Sequence, residues 1–188
     1  MKPQVLVVTR ISFWLLGAGE RMRLLAMLWV LGAHVRLTVL FLGRLQPADV
    51  QRIRQLGLTC DLVQVEGAED AAHQQAALRQ LCTSRAFDAC IFERIELHFL
   101  LDVLPPGIQS VLDTHDLESV NSDSRQAAGT PSERPVSVEA ELAILLRFDR
   151  VLLIQAQDHA LVARHLGHVH LGAWRCRRGG RRGRSRGS

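Results

Sequence analysis

The sequence predicts an α/β domain: a doubly wound, mostly parallel sheet of six to seven strands with helices on both faces. Three observations carry that expectation. Short apolar, β-branched runs recur between residues 4 and 155. Each is followed by a stretch with apolar residues at helical spacing. The connectors are short and rich in glycine and proline. Strands and helices that alternate on short connectors build a parallel sheet covered on both sides.

The elements follow in order. Gln4 to Thr9 (QVLVVT) is a strand buried on both faces. Gly19 to Leu31 carries a helical period, and Val35 to Leu42 is the second strand. Pro47 opens a short helix to Leu56, since proline suits a first helical turn. Thr59 to Val65 is a strand, and Ala68 to Leu81, rich in Ala, Gln and Leu, is a helix. Asp88 to Glu93 is the fourth strand. Glu96 to Leu104 is a short helix stopped by Pro105-Pro106-Gly107. Gln109 to Asp113 is a strand, Ser137 to Phe148 a helix and Arg150 to Gln155 the sixth strand. Asp158 to Leu166 is the last helix, ended by Gly167. The polar segment Asn121 to Pro135 reads as a loop at the strand-end edge. The whole is a Rossmann-like domain over 1–167, with an Arg/Gly-rich disordered tail over 168–188.

Length and composition narrow the classes. The chain has 188 residues, which fits one domain, and 47% of them are hydrophobic, enough for a sizeable core. The most apolar stretch, Leu24 to Leu42, is interrupted by Gly32, His34 and Arg36, so it is not read as a membrane span. Met1-Lys2-Pro3-Gln4 leads directly into a strand, without the apolar region and cleavage site of a signal peptide. Cys60, Cys82, Cys90 and Cys176 show no CxxC spacing, so idle thiols in a reducing cytoplasm are expected. The formal net charge is +4, yet residues 168–188 hold seven arginines and no acid, leaving 16 basic against 19 acidic residues elsewhere. The basic character belongs to the tail. There is no tyrosine and few Phe and Trp to stack on bases, so nucleic-acid binding has no strong signal. The tail's arginines also suit peripheral contact with an anionic membrane.

In doubly wound sheets ligands bind beyond the carboxyl ends of the strands. After the first strand comes Gly17-Ala18-Gly19-Glu20-Arg21, which either lets backbone N–H groups approach a phosphate or sugar, or is a plain tight turn. A dinucleotide fingerprint needs a third glycine where Met22 stands and an acid after the second strand, where Phe41-Leu42-Gly43 stands. An NAD site is therefore disfavoured. Glu93 and Arg94 follow the fourth strand, and Asp113-Thr114-His115-Asp116 the fifth. Carboxylates and an imidazole at one edge can hold sugar hydroxyls and move protons. Capping is the competing role for Asp116, and binding of backbone amides for Asp113. His165, His168 and His170 lack helical metal spacing across Gly167, so no metal site is expected. Arg147 and Arg150 beside Asp149 read as solvated ion pairing.

These residues bring a family into view. VLVVTR, the glycine turn and ERMRLLAMLWVLGAHVRLTVL resemble the first strand, glycine loop and first helix of family 4-like glycosyltransferases. FDACIFERIELHFLLDVLPPGIQSVLDTHDL is similar to the family's fourth and fifth strands, ending in LDTHD. VEAELAILLRFDRVLLIQAQDHALVARHLG resembles the glutamate-containing helix and the strand after it. The resemblance covers residues 4–167 and implies one half of a GT-B fold, in which two Rossmann-like domains face each other across a cleft. It implies the acceptor-binding N-terminal half, with a nucleotide-sugar as donor substrate and no cofactor. His115 and Asp116 would line the cleft at the transferred sugar, as catalytic residues. Gly17, Gly19, Glu93 and Asp113 would bind substrate. Ala18 departs from the family's adjacent glycines. The donor-binding C-terminal domain is not found in this sequence, so the chain alone is expected to be inactive and to need that domain or a partner chain.

Two accounts of the tail stay open. A shifted reading frame after about Gly167 would give arginine and glycine runs without acids. A genuine polybasic arm would instead make this a non-catalytic Rossmann-like binding module. A third reading, an unrelated Rossmann enzyme, would need a cofactor on the first loop.

Overall fold

The computed structural model describes residues 2–65, 70–120, 136–166 and 171–173. The expected loop 121–135, His168, His170, Cys176 and the arginine-rich segment lie outside the described residues. One seven-stranded sheet organises the chain: β1 (Gln4–Thr9), β2 (Arg36–Phe41), β3 (Asp61–Gln64), β4 (Ala89–Glu93), β5 (Gln109–Asp113), β6 (Arg150–Leu153) and β7 (Leu171–Ala173). Every pairing is parallel, in the order β3-β2-β1-β4-β5-β6-β7. The chain winds outward from β1 in one direction, then from β4 in the other. The crevice between the carboxyl ends of β1 and β4 is the switch point where such sheets bind ligands.

Among the described residues, α-helices flank the sheet: α1 (Gly19–His34), α2 (Pro47–Gln55), α3 (Ala71–Ser84), α4 (Val138–Leu145) and α5 (Ala156–Leu166). Alternate strand residues serve opposite layers. Val5, Val7, Leu37, Val39, Ile91 and Val111 meet Leu24, Leu25 and Leu28 of α1 and Ile53 of α2. Leu6, Val8, Leu40, Cys90, Phe92 and Leu112 meet Leu78, Leu97, Leu142 and Val162 on the other side. Apolar strands read without alternation because both faces are covered. The loop after β1 is itself packed: Phe13 is fully buried, and Trp14 Nε1 donates to Asp49 Oδ1 at 2.8 Å. No helix among the described residues is long and apolar enough to cross a membrane.

Three expectations change. The short helix after β4 is a 3-10 helix, Ile95–Val103. It must return the chain along strands of five residues, about 17 Å long. Nine residues at 3-10 rise cover about 18 Å, against about 14 Å for an α-helix. Second, Leu171–Ala173, read as part of the tail, pairs in parallel with β6 as the seventh strand. Third, the described residues pair Asp149 with Ser110 across the strands. Its carboxylate accepts the Ser110 N–H at 2.7 Å and the Ser110 hydroxyl at 2.8 Å, while Arg147 pairs with Asp102.

Candidate functional site

Glu93 and Asp113 end adjacent strands and are register partners. They therefore project to the same face, the one covered by α1. Both are 1% exposed. Two carboxylates side by side repel each other, and the fold answers with two bases. Arg23 of α1 reaches Asp113 Oδ1 at 2.5 Å. His115, two residues beyond β5, turns its ring back. Its Nε2 and Glu93 Oε2 lie 2.8 Å apart, within hydrogen-bond distance. The other oxygen, Glu93 Oε1, has no partner among the described residues, nor does Arg23 Nη1.

The electrostatics follow from burial. Desolvation raises the Glu93 carboxyl above its ordinary range; the hydrogen bond with His115 opposes this, and the Asp113 charge adds to it. Desolvation also raises Asp113, outweighing the attraction of Arg23. The pair thus holds protons more tightly than free carboxylates do, as a proton-accepting site requires.

Backbone strain concentrates in the same place. His115 has φ 62°, and Arg94 has φ 81° and ψ 150°. The Arg94 conformation is one that glycine alone adopts easily, and each such residue costs about 1–3 kcal/mol. Arg94 N–H donates to the Asp113 carbonyl at 2.8 Å, which links the two strained strand ends. Its guanidinium pairs with Glu20 and Glu96, each at 3.2 Å.

A cleft of about 460 Å³ opens above the cluster, bordered by Gly19, Arg23, Arg94, Thr114, His115, Asp116 and Ile154. Three predicted residues, Glu93, Asp113 and His115, converge. Asp116 borders the cleft outside that cluster, exposed, and its Oδ1 accepts from Gln155 Nε2 at 2.8 Å. The Asp113 carboxylate accepts from the Arg23 guanidinium. Ligand-type atoms of Glu93, Asp113 and His115 all lie within 4.8 Å of one another. A divalent ion there would meet the Arg23 guanidinium already bound to Asp113, so the donor set does not fit a metal.

The two glycines differ. Gly17 has φ 114°, whereas Gly19 begins α1, has no such constraint and borders the cleft. A Cβ would meet nothing within 4 Å at either. Gly17→Ala is expected to cost about 1–3 kcal/mol from strain alone. Gly19→Ala is expected to be neutral or up to about 1 kcal/mol stabilising. Chemical denaturation of the two variants checks this; equal effects would refute the distinction.

Sequence reasoning missed Arg23, Arg94 as a strained residue, and Glu141. Glu141 is 1% exposed. Its Oε1 accepts the Glu118 N–H at 2.8 Å, and its Oε2 accepts the Ser119 N–H at 2.9 Å and hydroxyl at 2.5 Å. It anchors the segment that carries Asp116 and Glu118 beside the cleft. A glutamate among the apolar residues of α4 was the available signal.

No family model matches this chain, and no characterised protein matches it by sequence. Solved structures do. Sucrose-phosphate synthase from Thermosynechococcus elongatus aligns with 93% of this chain at TM-score 0.63 and 12% identity, over 48% of its own length. HepE from Anabaena, solved in complex with UDP-glucose, aligns with 90% at TM-score 0.60 and 11% identity, over 43% of its length. UGT2 from Phytolacca americana, solved with UDP-2-fluoro-glucose and pterostilbene, aligns with 93% at TM-score 0.54 and 13% identity, over 53% of its length. The chain has the fold of one half of a GT-B glycosyltransferase. It spans about half the length of these proteins. At these identities the likeness defines the fold, and the GT-B half found here carries its Glu93–Asp113–His115 cluster at the ligand-binding edge of the sheet.

Proposed function

We propose that this chain is the acceptor-side domain of a family 4-like glycosyltransferase. The observation that carries the reading is the buried Glu93–His115 pair, with one carboxylate oxygen unpartnered among the described residues, at the carboxyl edge of a GT-B half. In the complete enzyme a second Rossmann-like domain would hold the nucleotide-sugar. An acceptor hydroxyl would attack the sugar's anomeric carbon as the bond to the diphosphate breaks. His115, backed by Glu93, takes the hydroxyl proton, and the nucleoside diphosphate leaves with the bond's electrons. Asp116 at the cleft rim holds a sugar hydroxyl. Arg23 and Asp113 hold the neighbouring strand end and keep the two carboxylates apart in charge.

The pure chain is expected to turn over no nucleotide-sugar, because its described residues form one half of the two-domain fold. Turnover by the chain alone would overturn the half-enzyme reading. Joined to the C-terminal half of a structurally matched GT-B enzyme, the chain is expected to support transfer that His115→Ala removes. Transfer indifferent to that substitution would overturn the site. A folded fusion that binds donor yet transfers to none of a broad set of acceptors would overturn the function.

A further inference from the structure

The cleft has a second lobe on the β1 side, about 270 Å³ in volume, bordered by Arg10, Arg21 and Arg94 and by the carboxylates Glu20, Glu93 and Glu96. Its arginines are unequally partnered. Arg94 faces two carboxylates. Arg10 and Arg21 have neutral partners. Arg10 Nη2 donates to Gln74 Oε1 at 2.7 Å, and Arg21 Nη1 donates to the Leu15 carbonyl at 3.4 Å. A guanidinium carries five N–H donors in a rigid fork, so both retain capacity for an oxyanion. Against that positive side stands Glu93 Oε1, buried and without a partner among the described residues. A buried carboxylate oxygen of this kind needs a hydrogen donor. Here its residue borders a cavity that a ligand hydroxyl can enter.

We infer that the β1-side lobe binds a hydroxyl-bearing phosphate monoester as the acceptor. The phosphate lies on Arg10 and Arg21, and a hydroxyl of the same molecule donates to Glu93 Oε1. Two guanidinium forks match the oxygens of a phosphate better than those of a neutral sugar. The inference rests on the acceptor-side function proposed above and names the class of acceptor. The same anionic chemistry could come from the donor's diphosphate, so the test must include both.

Calorimetric titration of the full chain with inorganic phosphate, glucose 6-phosphate, glucose and UDP provides it. Glucose 6-phosphate is expected to bind about tenfold or more tightly than glucose. Arg21→Gln reduces that preference, and Arg10→Gln combined with it removes it, with circular dichroism to show both variants folded. The hydrogen bond of the Arg21 side chain among the described residues goes to a main-chain carbonyl, so Arg21→Gln is the variant that keeps the test valid if Arg10→Gln misfolds. Glu93→Gln weakens glucose 6-phosphate and leaves inorganic phosphate unchanged. Equal binding of glucose and glucose 6-phosphate overturns the inference. So does phosphate binding that survives the double substitution, which would assign it to the arginines of residues 175–186. UDP binding that needs Arg10 and Arg21 while glucose 6-phosphate binding does not also overturns it, in favour of the donor. The fusion with a donor-binding half separates the two claims. Transfer without phosphate preference discards the lobe and keeps the acceptor-side function; phosphate-selective binding without transfer does the reverse.

Discussion

Glu141→Ala is expected to destabilise the chain by about 3–5 kcal/mol, a melting-point loss of roughly 10 °C. The carboxylate accepts three hydrogen bonds, from Glu118 N–H, Ser119 N–H and the Ser119 hydroxyl. Alanine offers none of them an acceptor. Each buried donor left unpaired costs about 1–3 kcal/mol. Glu141→Gln should cost less, because an amide keeps one acceptor oxygen. It also removes a negative charge that raises the nearby Asp158 carboxyl, whose burial and whose neighbour Asp116 already push it up. Denaturant midpoints for the two variants decide the matter. A loss below about 1 kcal/mol for the alanine variant would mean that water reaches these donors and the anchor is not structural. The consequence for the site is direct, since Asp116 and Glu118 border the cleft on the segment Glu141 ties down.

Glu141 also shows where sequence reading stops. The strands were legible because runs such as QVLVVT and DACIFE have few alternatives, and their residues fill both core layers. From the strands came the sheet, and from the sheet the edge on which a site had to lie. Glu93, Asp113 and His115 were visible as polar residues at strand ends. Their convergence was not visible, because it depends on strand register and on the turn at His115, φ 62°, which no local pattern announces. Arg23 was hidden more deeply. In sequence it is one of several charges on an amphipathic helix, and its partner Asp113 lies 90 residues away. The strand Leu171–Ala173 escaped because three residues beside an arginine-rich segment carry no period to detect. The 3-10 form of Ile95–Val103 escaped because its apolar spacing suits either helix. The distance to be crossed decides between them, and that distance belongs to the sheet.

Glu93→Gln is expected to lower transfer by the complete enzyme about 10²–10⁴-fold, the usual worth of general base catalysis, because an amide no longer backs His115, the proton acceptor, with a carboxylate. It is expected to leave the fold at pH 7 as stable as before, or more so. The sign follows from the direction of the shift. The folded carboxyl is raised above its ordinary value by burial, with Asp113 adding to the effect. Between the unfolded value of about 4.3 and the folded value, the native state keeps a proton that the unfolded chain has released. Stability is therefore greatest below about pH 4 on this account and falls as pH rises through that window. Glutamine does not titrate, so its variant should lose part of the decline. Asp113 is raised too and keeps the remainder. Denaturation from pH 4 to pH 8, run beside the transfer assay, reads both effects. A site kept for function loses activity and gains or holds stability at neutral pH. If Glu93→Gln instead lost about 2 kcal/mol or more at pH 7, the His115 bond would be a structural strut, and the proton-accepting role would fall with it.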